Sequence, residues 1–185
     1  MSAEAGHALW MEEAIAQARA GISAGQAPFG AVIVRQRPAS APAADHSLAG
    51  VPGDAGRAVA SAELTAAAHN EVWAQRDPTA HAEVLAIRRA AAALGRIGLS
   101  GCVIYTTCEP CPMCAAAIHW ARLDAVVYGA AIADAERAGF SELRVPAAAL
   151  YTQGGSRVRV IAGVAAQPCV ALFEEWRARG LGRPY

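Results

Sequence analysis

The sequence has no apolar run long enough to span a membrane, because charged side chains interrupt every hydrophobic stretch well before the roughly 18 residues that a spanning helix needs. Its first residues, MSAEAGHALWMEEA, carry acidic side chains early. They also lack the basic segment followed by an apolar one that marks a secretory signal. We therefore expect no membrane partner.

The sequence also has no excess of basic charge. It contains 16 basic and 16 acidic residues, a formal net charge of zero, and no long run of Lys or Arg. Proteins that hold nucleic-acid backbones usually carry a basic patch or stripe. The charge balance therefore favours a small-molecule substrate over a nucleic acid.

The five cysteines do not suit a disulfide framework. Five is an odd number, and three of them, Cys108, Cys111 and Cys114, lie close together. This pattern favours metal chemistry in a reducing compartment, so we expect a cytoplasmic protein. Cys102 and Cys169 stand in apolar runs and are expected to be small core residues.

A chain of 185 residues with 55% apolar content can bury a core as one domain covering residues 1–185. Ala-rich helical stretches alternate with short Val/Ile runs, which indicates α/β organisation. The patterns predict helices over 6–20, 81–94, 111–122 and 170–179, and strands over 29–34, 60–67, 102–106, 125–129 and 158–164. We predict a three-layer α/β/α fold with a mixed central sheet. Residues 35–57, rich in Pro, Ala, Gly and Asp, are predicted to form an extended surface loop.

Two short motifs carry the chemistry: His81-Ala82-Glu83, and Pro110-Cys111-Pro112-Met113-Cys114. Both lie at predicted helix starts. Cys111 and Cys114 are three residues apart and share a helix face, and the positive end of a helix favours the thiolates that bind zinc. With His81 they provide three protein ligands and leave one tetrahedral position for water, as a catalytic zinc site requires.

Glu83 lies about 200° around the helix from His81 and is poorly placed to bind the same ion. It is better placed to act as a proton shuttle. Cys108 could instead complete a closed Cys₃His site of structural type. We expect its side chain to point away, because it precedes the turn at Pro110. The other histidines, at positions 7, 46, 69 and 119, lack ligand-like spacing and are expected to be surface or packing residues.

The motifs resemble the zinc-dependent cytidine deaminase superfamily, whose members carry H-x-E followed by P-C-x-x-C. The resemblance extends to bacterial guanine deaminases through four stretches of this sequence, at residues 28–34, 77–83, 108–114 and 120–122. It covers most of the chain, with 35–57 as the exception. It implies a cytidine deaminase-like fold and one Zn²⁺ per subunit, held by His81, Cys111 and Cys114. It also implies Glu83 as the catalytic proton shuttle.

The resemblance further implies residues that bind the substrate. Asn70 matches an asparagine that hydrogen-bonds the base in this family. Glu142 matches a carboxylate of the catalytic site that reads the N1–H and 2-amino edge of guanine, and a carboxylate does offer an acceptor pair to two adjacent donors. Phe29 is a candidate for stacking on the ring, or it fills the core instead.

The C-terminal stretch from about residue 170 to residue 185 resembles the tail of guanine deaminases. In that family the tail crosses to a neighbouring subunit and closes its active site. The resemblance therefore implies a domain-swapped homodimer, with Tyr185 close to the partner's substrate. An unstructured tail is the alternative. The longer loop at 35–57 departs from the family's tight hairpin and bears on substrate access.

The reading with most support is zinc-dependent hydrolysis of guanine to xanthine and ammonia, a reaction on a C–N bond of a cyclic amidine. Three alternatives remain open at this point. One is deamination of guanosine, a triazine, a pterin or adenosine in tRNA. Another is a zinc-stabilised binding module without catalysis, and the last is a thiol redox protein that uses Cys111 and Cys114.

Overall fold

The computed structural model describes residues 3–36, 62–180 and 184, with side chains from residue 6 onward. The helices in these residues are α1 (Ala3–Ser23), α2 (Val72–Gln75), α3 (Ala82–Leu94), α4 (Pro112–Trp120), α5 (Ile132–Arg137), α6 (Ala147–Gln153) and α7 (Ala166–Ala178). The strands are β1 (Gly30–Gln36), β2 (Ala62–His69), β3 (Cys102–Cys108), β4 (Ala125–Ala130) and β5 (Arg159–Ile161).

The strands form one sheet in the order β2-β1-β3-β4-β5. β1 pairs antiparallel with both β2 and β3, whereas β3–β4 and β4–β5 are parallel pairs. The two parallel pairs are joined through helices, as parallel neighbours must be. The mixed central sheet predicted from the sequence is therefore confirmed.

Alternate side chains of the buried strands enter two separate cores. Val32 and Val34 of β1 pack with α1 and α7 on one face. Ala31 and Ile33 of the same strand pack with α3, α4 and α6 on the other face. A strand buried on both faces has no polar alternation, which explains why β1 and β3 are near-continuous apolar runs. These two cores confirm the three-layer α/β/α fold.

The helices and strands differ from the predicted ones mainly at their ends. β1 continues through Arg35 and Gln36, because Arg35 pairs across the sheet with Glu63, Nη2 to Oε2 at 2.8 Å. The rest of the predicted loop at 35–57 lies outside the described residues. The predictions also missed α2, α5 and α6, since helices of four, six and seven residues show almost no 3.6-residue period. Within the described chain, no helix combines the length and apolar character needed to cross a membrane.

Gly30 lies where α1 crosses the start of β1. A Cβ atom at this position would lie 2.2 Å from Ala14 O and 2.5 Å from Ala18 N, which are backbone atoms of α1. Backbone atoms cannot rotate aside, so we expect Gly30→Ala to displace α1 from the sheet. The free energy of unfolding of the zinc-loaded protein, measured by denaturant titration, should fall by about 1–3 kcal/mol.

Gly6→Ala is the matched control for this prediction. Gly6 also belongs to α1, but a Cβ there meets nothing within 4 Å. Alanine has the higher helix propensity, so the control should leave the free energy of unfolding unchanged or raise it slightly. Equal stability of Gly30→Ala and wild type would mean that α1 does not approach β1 this closely.

Candidate active site

Four strands bring their ends to one edge of the sheet. Gly30, which starts β1, pairs with His69, which ends β2. The ends of β3 and β4 lie at the same edge, where Cys108 pairs with Ala130. The residues just beyond these ends are joined by backbone hydrogen bonds, from Asn70 N to Phe29 O at 2.9 Å and from Glu109 N to Ala130 O at 2.8 Å. Ligands of α/β sheets commonly bind outside such strand ends.

His81 and Cys111 each occupy the position just before a helix. Both have extended backbone angles, and their carbonyls accept the first helical hydrogen bonds, from Leu85 N at 3.0 Å and Ala115 N at 2.8 Å. Pro112 follows Cys111 at the first helical position, where its missing N–H costs nothing. The predicted helix starts at residues 81 and 111 were therefore one residue too early. Neither side chain caps its own helix. The two side chains instead contact each other at the strand ends.

His81, Cys111 and Cys114 form a compact group of metal-binding atoms, all within 4.8 Å of one another. His81 Nδ1 lies 3.5 Å from Cys114 Sγ and 3.8 Å from Cys111 Sγ. With Zn–S near 2.3 Å and Zn–N near 2.0–2.1 Å, a tetrahedral ion places neighbouring N and S donors about 3.6 Å apart. The residues present therefore fit a zinc ion.

The electrostatics of the group favour a thiolate at Cys111. A hydrogen bond from the Cys114 thiol, together with His81, lowers the pKa of Cys111 to about 4. The same hydrogen bond and burial raise the pKa of Cys114 well above its ordinary value. Burial acts to lower the pKa of His81, but the neighbouring Cys111 and Glu83 raise it. The three side chains thus already interact as a unit whose charge a divalent cation would balance.

Cys108 does not belong to this group. Its buried thiol donates to Ala131 O, with 3.7 Å between Sγ and the oxygen. Burial raises the pKa of Cys108 well above its usual range, which favours the neutral thiol. The expectation that its side chain turns away from the start of α4 agrees with this contact.

Glu83 lies in the first turn of α3 and is buried, with 7% of its surface exposed. Burial raises the pKa of Glu83 to about 7, an effect that His81 partly offsets. A carboxyl group with such a pKa exchanges protons near neutral pH. Its place in α3 follows from the His-x-Glu spacing, which turns Glu83 and His81 toward different sides of the same pocket.

The pocket is open to solvent, and the space between its walls, including open solvent at its mouth, amounts to about 310 Å³. Its walls combine the metal-binding side chains with acids, one aromatic ring and one further thiol: Phe29, His81, Glu83, Cys108, Glu109, Cys111 and Glu142. Polar groups from three different parts of the chain therefore converge on one small space.

Two of the predicted substrate residues line this pocket. Glu142 follows α5 and is partly buried, and burial together with nearby Cys111 raises its pKa. Phe29 precedes β1 and packs edge-to-face on Phe140 at 4.9 Å and on Phe173 at 5.9 Å between ring centroids. Phe29 thus has a pocket-lining side and a core-packing side.

The structure does not place the other two predicted substrate residues on the pocket wall. Asn70 is fully buried next to Phe29, and its Oδ1 accepts a hydrogen bond from Val72 N at 3.2 Å. Tyr185 lies outside the described residues. Its neighbour Pro184 lies beside Gly139 of the same chain, where a Cβ atom on the glycine would be 3.7 Å from Pro184 Cγ.

Within the described residues, the remaining histidines and cysteines follow the sequence expectations. His7 Nδ1 contacts the Tyr105 hydroxyl at 3.0 Å, and His119 Nδ1 contacts Ser156 Oγ at 2.8 Å, both away from the donor group. Cys102 and Cys169 are fully buried core residues. His46 lies outside the described residues.

Glu109 is the pocket residue that the sequence reasoning missed. It stands between Cys108 and Pro110 and is almost fully buried, although acidic side chains rarely are. The available signal was its position, an acid that follows a predicted strand and directly precedes a metal-binding turn.

Comparisons with known proteins identify deaminases. The model of the cytidine and deoxycytidylate deaminase zinc-binding region matches residues 5–130. The guanine deaminase of Bacillus subtilis (strain 168) is 40% identical over 137 residues, which cover 74% of this chain and 72% of that protein. A tRNA-specific adenosine deaminase of the same organism is 36% identical over 122 residues, which cover 66% of this chain and 60% of that protein.

Solved structures agree with the sequence comparisons. The guanine deaminase from Nitrosomonas europaea aligns with a TM-score of 0.73 at 28% identity, covering 92% of this chain and 84% of that chain. A crystal structure in complex with 8-azaguanine aligns with a TM-score of 0.74 at 28% identity, covering 94% of this chain and 85% of that chain. The chain therefore belongs to the cytidine and deoxycytidylate deaminase family of zinc-binding enzymes, in which it is similar to the guanine deaminases.

Proposed function

We propose that this chain is a guanine deaminase, a hydrolase that cleaves the bond between C2 of guanine and its exocyclic amino group. Guanine and water then give xanthine and ammonia. The observation that carries the proposal is one pocket that combines a zinc donor group with two further carboxyl groups, Glu83 and Glu142. The similarity to proteins named guanine deaminase supports the choice of ring.

In this proposal His81, Cys111 and Cys114 hold one Zn²⁺ per subunit. When bound there, the ion would supply Lewis acidity that lowers the pKa of water. Glu83 accepts a proton from that water and returns protons to a ring nitrogen and to the departing amine. Burial of Glu83 keeps bulk water from competing for these protons.

Glu142, Phe29 and Asn70 are proposed to select the ring. A carboxylate at Glu142 accepts hydrogen bonds from the N1–H and 2-amino groups, two adjacent donors on guanine. Phe29 presents its pocket-lining side to the flat face of the base. Asn70 holds Phe29 in place through the hydrogen bond from its backbone N–H to Phe29 O. Its side-chain amide is proposed to bind the base.

The experiment that tests the proposal is ammonia release by the purified, zinc-loaded chain. The panel contains guanine, guanosine, adenine, cytosine, cytidine, a pterin, melamine-type triazines and a tRNA with adenosine. Turnover of guanine in preference to the others is expected. Turnover of another ring or of the tRNA would retain the deaminase chemistry and reject guanine. Inactivity across the panel with zinc bound would favour a binding module without catalysis.

Glu142→Gln gives the sharpest prediction about selectivity. The amide offers one acceptor instead of two, and one charged hydrogen bond is lost, so kcat/KM for guanine should fall about 10- to 100-fold. Steady-state kinetics measure the change. Ser141→Ala, in the exposed neighbouring residue, is the matched control and should keep wild-type kcat/KM. Equal values for the Glu142→Gln variant and wild type would remove Glu142 from the site.

We propose further that the chain acts in the cytoplasm as a homodimer. The concentration of thiols at a metal-binding group suits a reducing compartment. The dimer with an exchanged tail, and the placement of Tyr185 near the partner's substrate, rest on the resemblance to guanine deaminases alone.

A further inference from the structure

Glu109 makes two hydrogen bonds that join distant parts of the chain. Its Oε1 accepts from Ala147 N at 3.0 Å, and its Oε2 accepts from Ile132 N at 3.4 Å. These amides belong to the first residues of α6 and α5. The first amides of a helix have no acceptor within the helix. The preceding residues, Pro146 and Ala131, have no side-chain oxygen to cap them, so Glu109 supplies the acceptor for both helices.

The stretch between these two amides carries Glu142. It consists of α5 followed by residues 138–146. We name residues 138–146 the recognition segment. Glu109 also lies close to the metal-binding turn, because it precedes Cys111 by two residues. Its backbone N–H donates to Ala130 O. One side chain therefore connects the metal-binding turn to both ends of the stretch that presents Glu142.

The recognition segment has few other buried contacts. Phe140 anchors its first part, since the ring is buried against Phe29 and Trp176. Beyond Glu142 the side chains are exposed, and Arg144 bonds to Glu136 at the surface, Nε to Oε1 at 2.7 Å. Exposed ion pairs contribute little to stability. At the far end of the segment, the buried restraints are the bond from Ala147 N to Glu109 and the packing of the Ala147 side chain in the core.

We propose that Glu109 is a positioning residue that holds the recognition segment, and with it Glu142, at a fixed place relative to the metal donor group. The inference rests on the proposed function for the role of Glu142 in binding guanine. Glu109 is not proposed to touch the ring. It acts by restraining the backbone on both sides of Glu142, so that ring binding does not have to order the segment.

Glu109→Gln isolates this role. Glutamine has nearly the same shape but only one acceptor oxygen, so it cannot accept from both amides. A buried N–H is then left without its partner. In the zinc-loaded chain, hydrogen exchange followed by mass spectrometry should show amides of 138–147 exchanging about tenfold faster, the size expected for one lost charged hydrogen bond. Exchange in α4 and the zinc content should not change.

Ala147→Pro tests the same contact from the other partner. Proline removes the N–H that donates to Glu109, and the first position of a helix tolerates a missing N–H. Because Ala147 is fully buried, zinc content and thermal unfolding are measured first to establish that this variant folds. It should reproduce the faster exchange in the recognition segment, which also keeps the test valid if Glu109→Gln folds poorly. Unchanged exchange in 138–147 in both variants would overturn the inference, whatever ring the enzyme uses.

Asp134→Asn is the matched control. Asp134 Oδ2 accepts from Ala131 N at 2.7 Å, so it also restrains the start of α5 but does not contact α6. We expect faster exchange only around residues 131–134 and an unchanged KM. If this variant loosened 138–147 as much as Glu109→Gln does, the effect would be general loosening of α5 and the inference would be wrong.

Kinetics supply the functional measurement. Glu109→Gln should raise KM for guanine about tenfold and change kcat less than about threefold, because the proton shuttle is not moved. In a Glu142→Gln background, Glu109→Gln should raise KM no further, since it acts through Glu142. Additive effects would contradict the inference. If the wild-type chain does not deaminate guanine, the proposed function fails, and the exchange experiment still decides the role of Glu109.

Discussion

Glu83→Gln should lower guanine turnover by about 10²–10⁴-fold, the range for loss of a general acid–base group. Glutamine keeps the size of the side chain but can neither accept nor return the proton. Glu83 is not one of the three grouped metal-binding residues, so zinc content should remain at one ion per chain. Single-turnover and steady-state rates, together with elemental analysis of the same samples, measure both quantities.

A second acidic variant makes this result specific. Glu12 is an exposed acid on α1, so Glu12→Gln removes the same charge from the chain without entering the pocket. It should retain the wild-type rate. If Glu83→Gln also kept a near-normal rate with zinc bound, another group would have to carry the proton and the proposed mechanism would be rejected.

Cys114→Ser should abolish both zinc binding and activity. Cys114 is fully buried in the first turn of α4, and serine is a poor zinc ligand. Two remaining protein donors cannot hold the ion against a chelator. The wild-type protein should gain about 4 kcal/mol of stability when free zinc exceeds its Kd a thousandfold. Thermal unfolding with and without zinc should show this gain in wild type and none in the variant.

Cys108→Ser is the control that separates the two possible ligand sets. Cys108 is also buried and precedes Cys111 by three residues, but its Sγ contacts Ala131 O. A serine hydroxyl can donate to the same carbonyl, so zinc content and the zinc-dependent gain in stability should persist. Loss of zinc from Cys108→Ser would instead indicate a Cys₃His site. Retention of zinc by Cys114→Ser would contradict the assigned donor group.

The donor group was accessible from the sequence because its geometry is local. Each motif needs only a helix start, and the types and spacing of His81, Cys111 and Cys114 already specify how the donors can meet. The central strands were accessible for a similar reason, since a strand buried on both faces is a continuous apolar run. Only the meeting of the two motifs in space depends on the arrangement of the sheet, which the motifs themselves do not encode.

Glu109 was not accessible because its partners have no side-chain signature. They are backbone amides at residues 132 and 147, which lie 23 and 38 positions further along the chain. The short helices that begin there have too few residues to show a period. The strand at 158–164 was predicted too long for a related reason, since only Arg159–Ile161 pairs with β4 as a strand, and Val164 adds a single hydrogen bond to Tyr128 O. Pairing partners, unlike apolar character, are set by the tertiary structure.

The two layers of helices support different parts of the pocket. The metal donors start α3 and α4, which pack on one face of the sheet through Ala82 and Ala115. The aromatic support of Phe29 and of the recognition segment comes from the other face, through Phe173 and Trp176 of α7. Changes in α7 can therefore reshape the ring-binding wall while the metal layer stays intact. A duplicated gene could in this way acquire a new substrate without losing its hydrolytic centre during the transition.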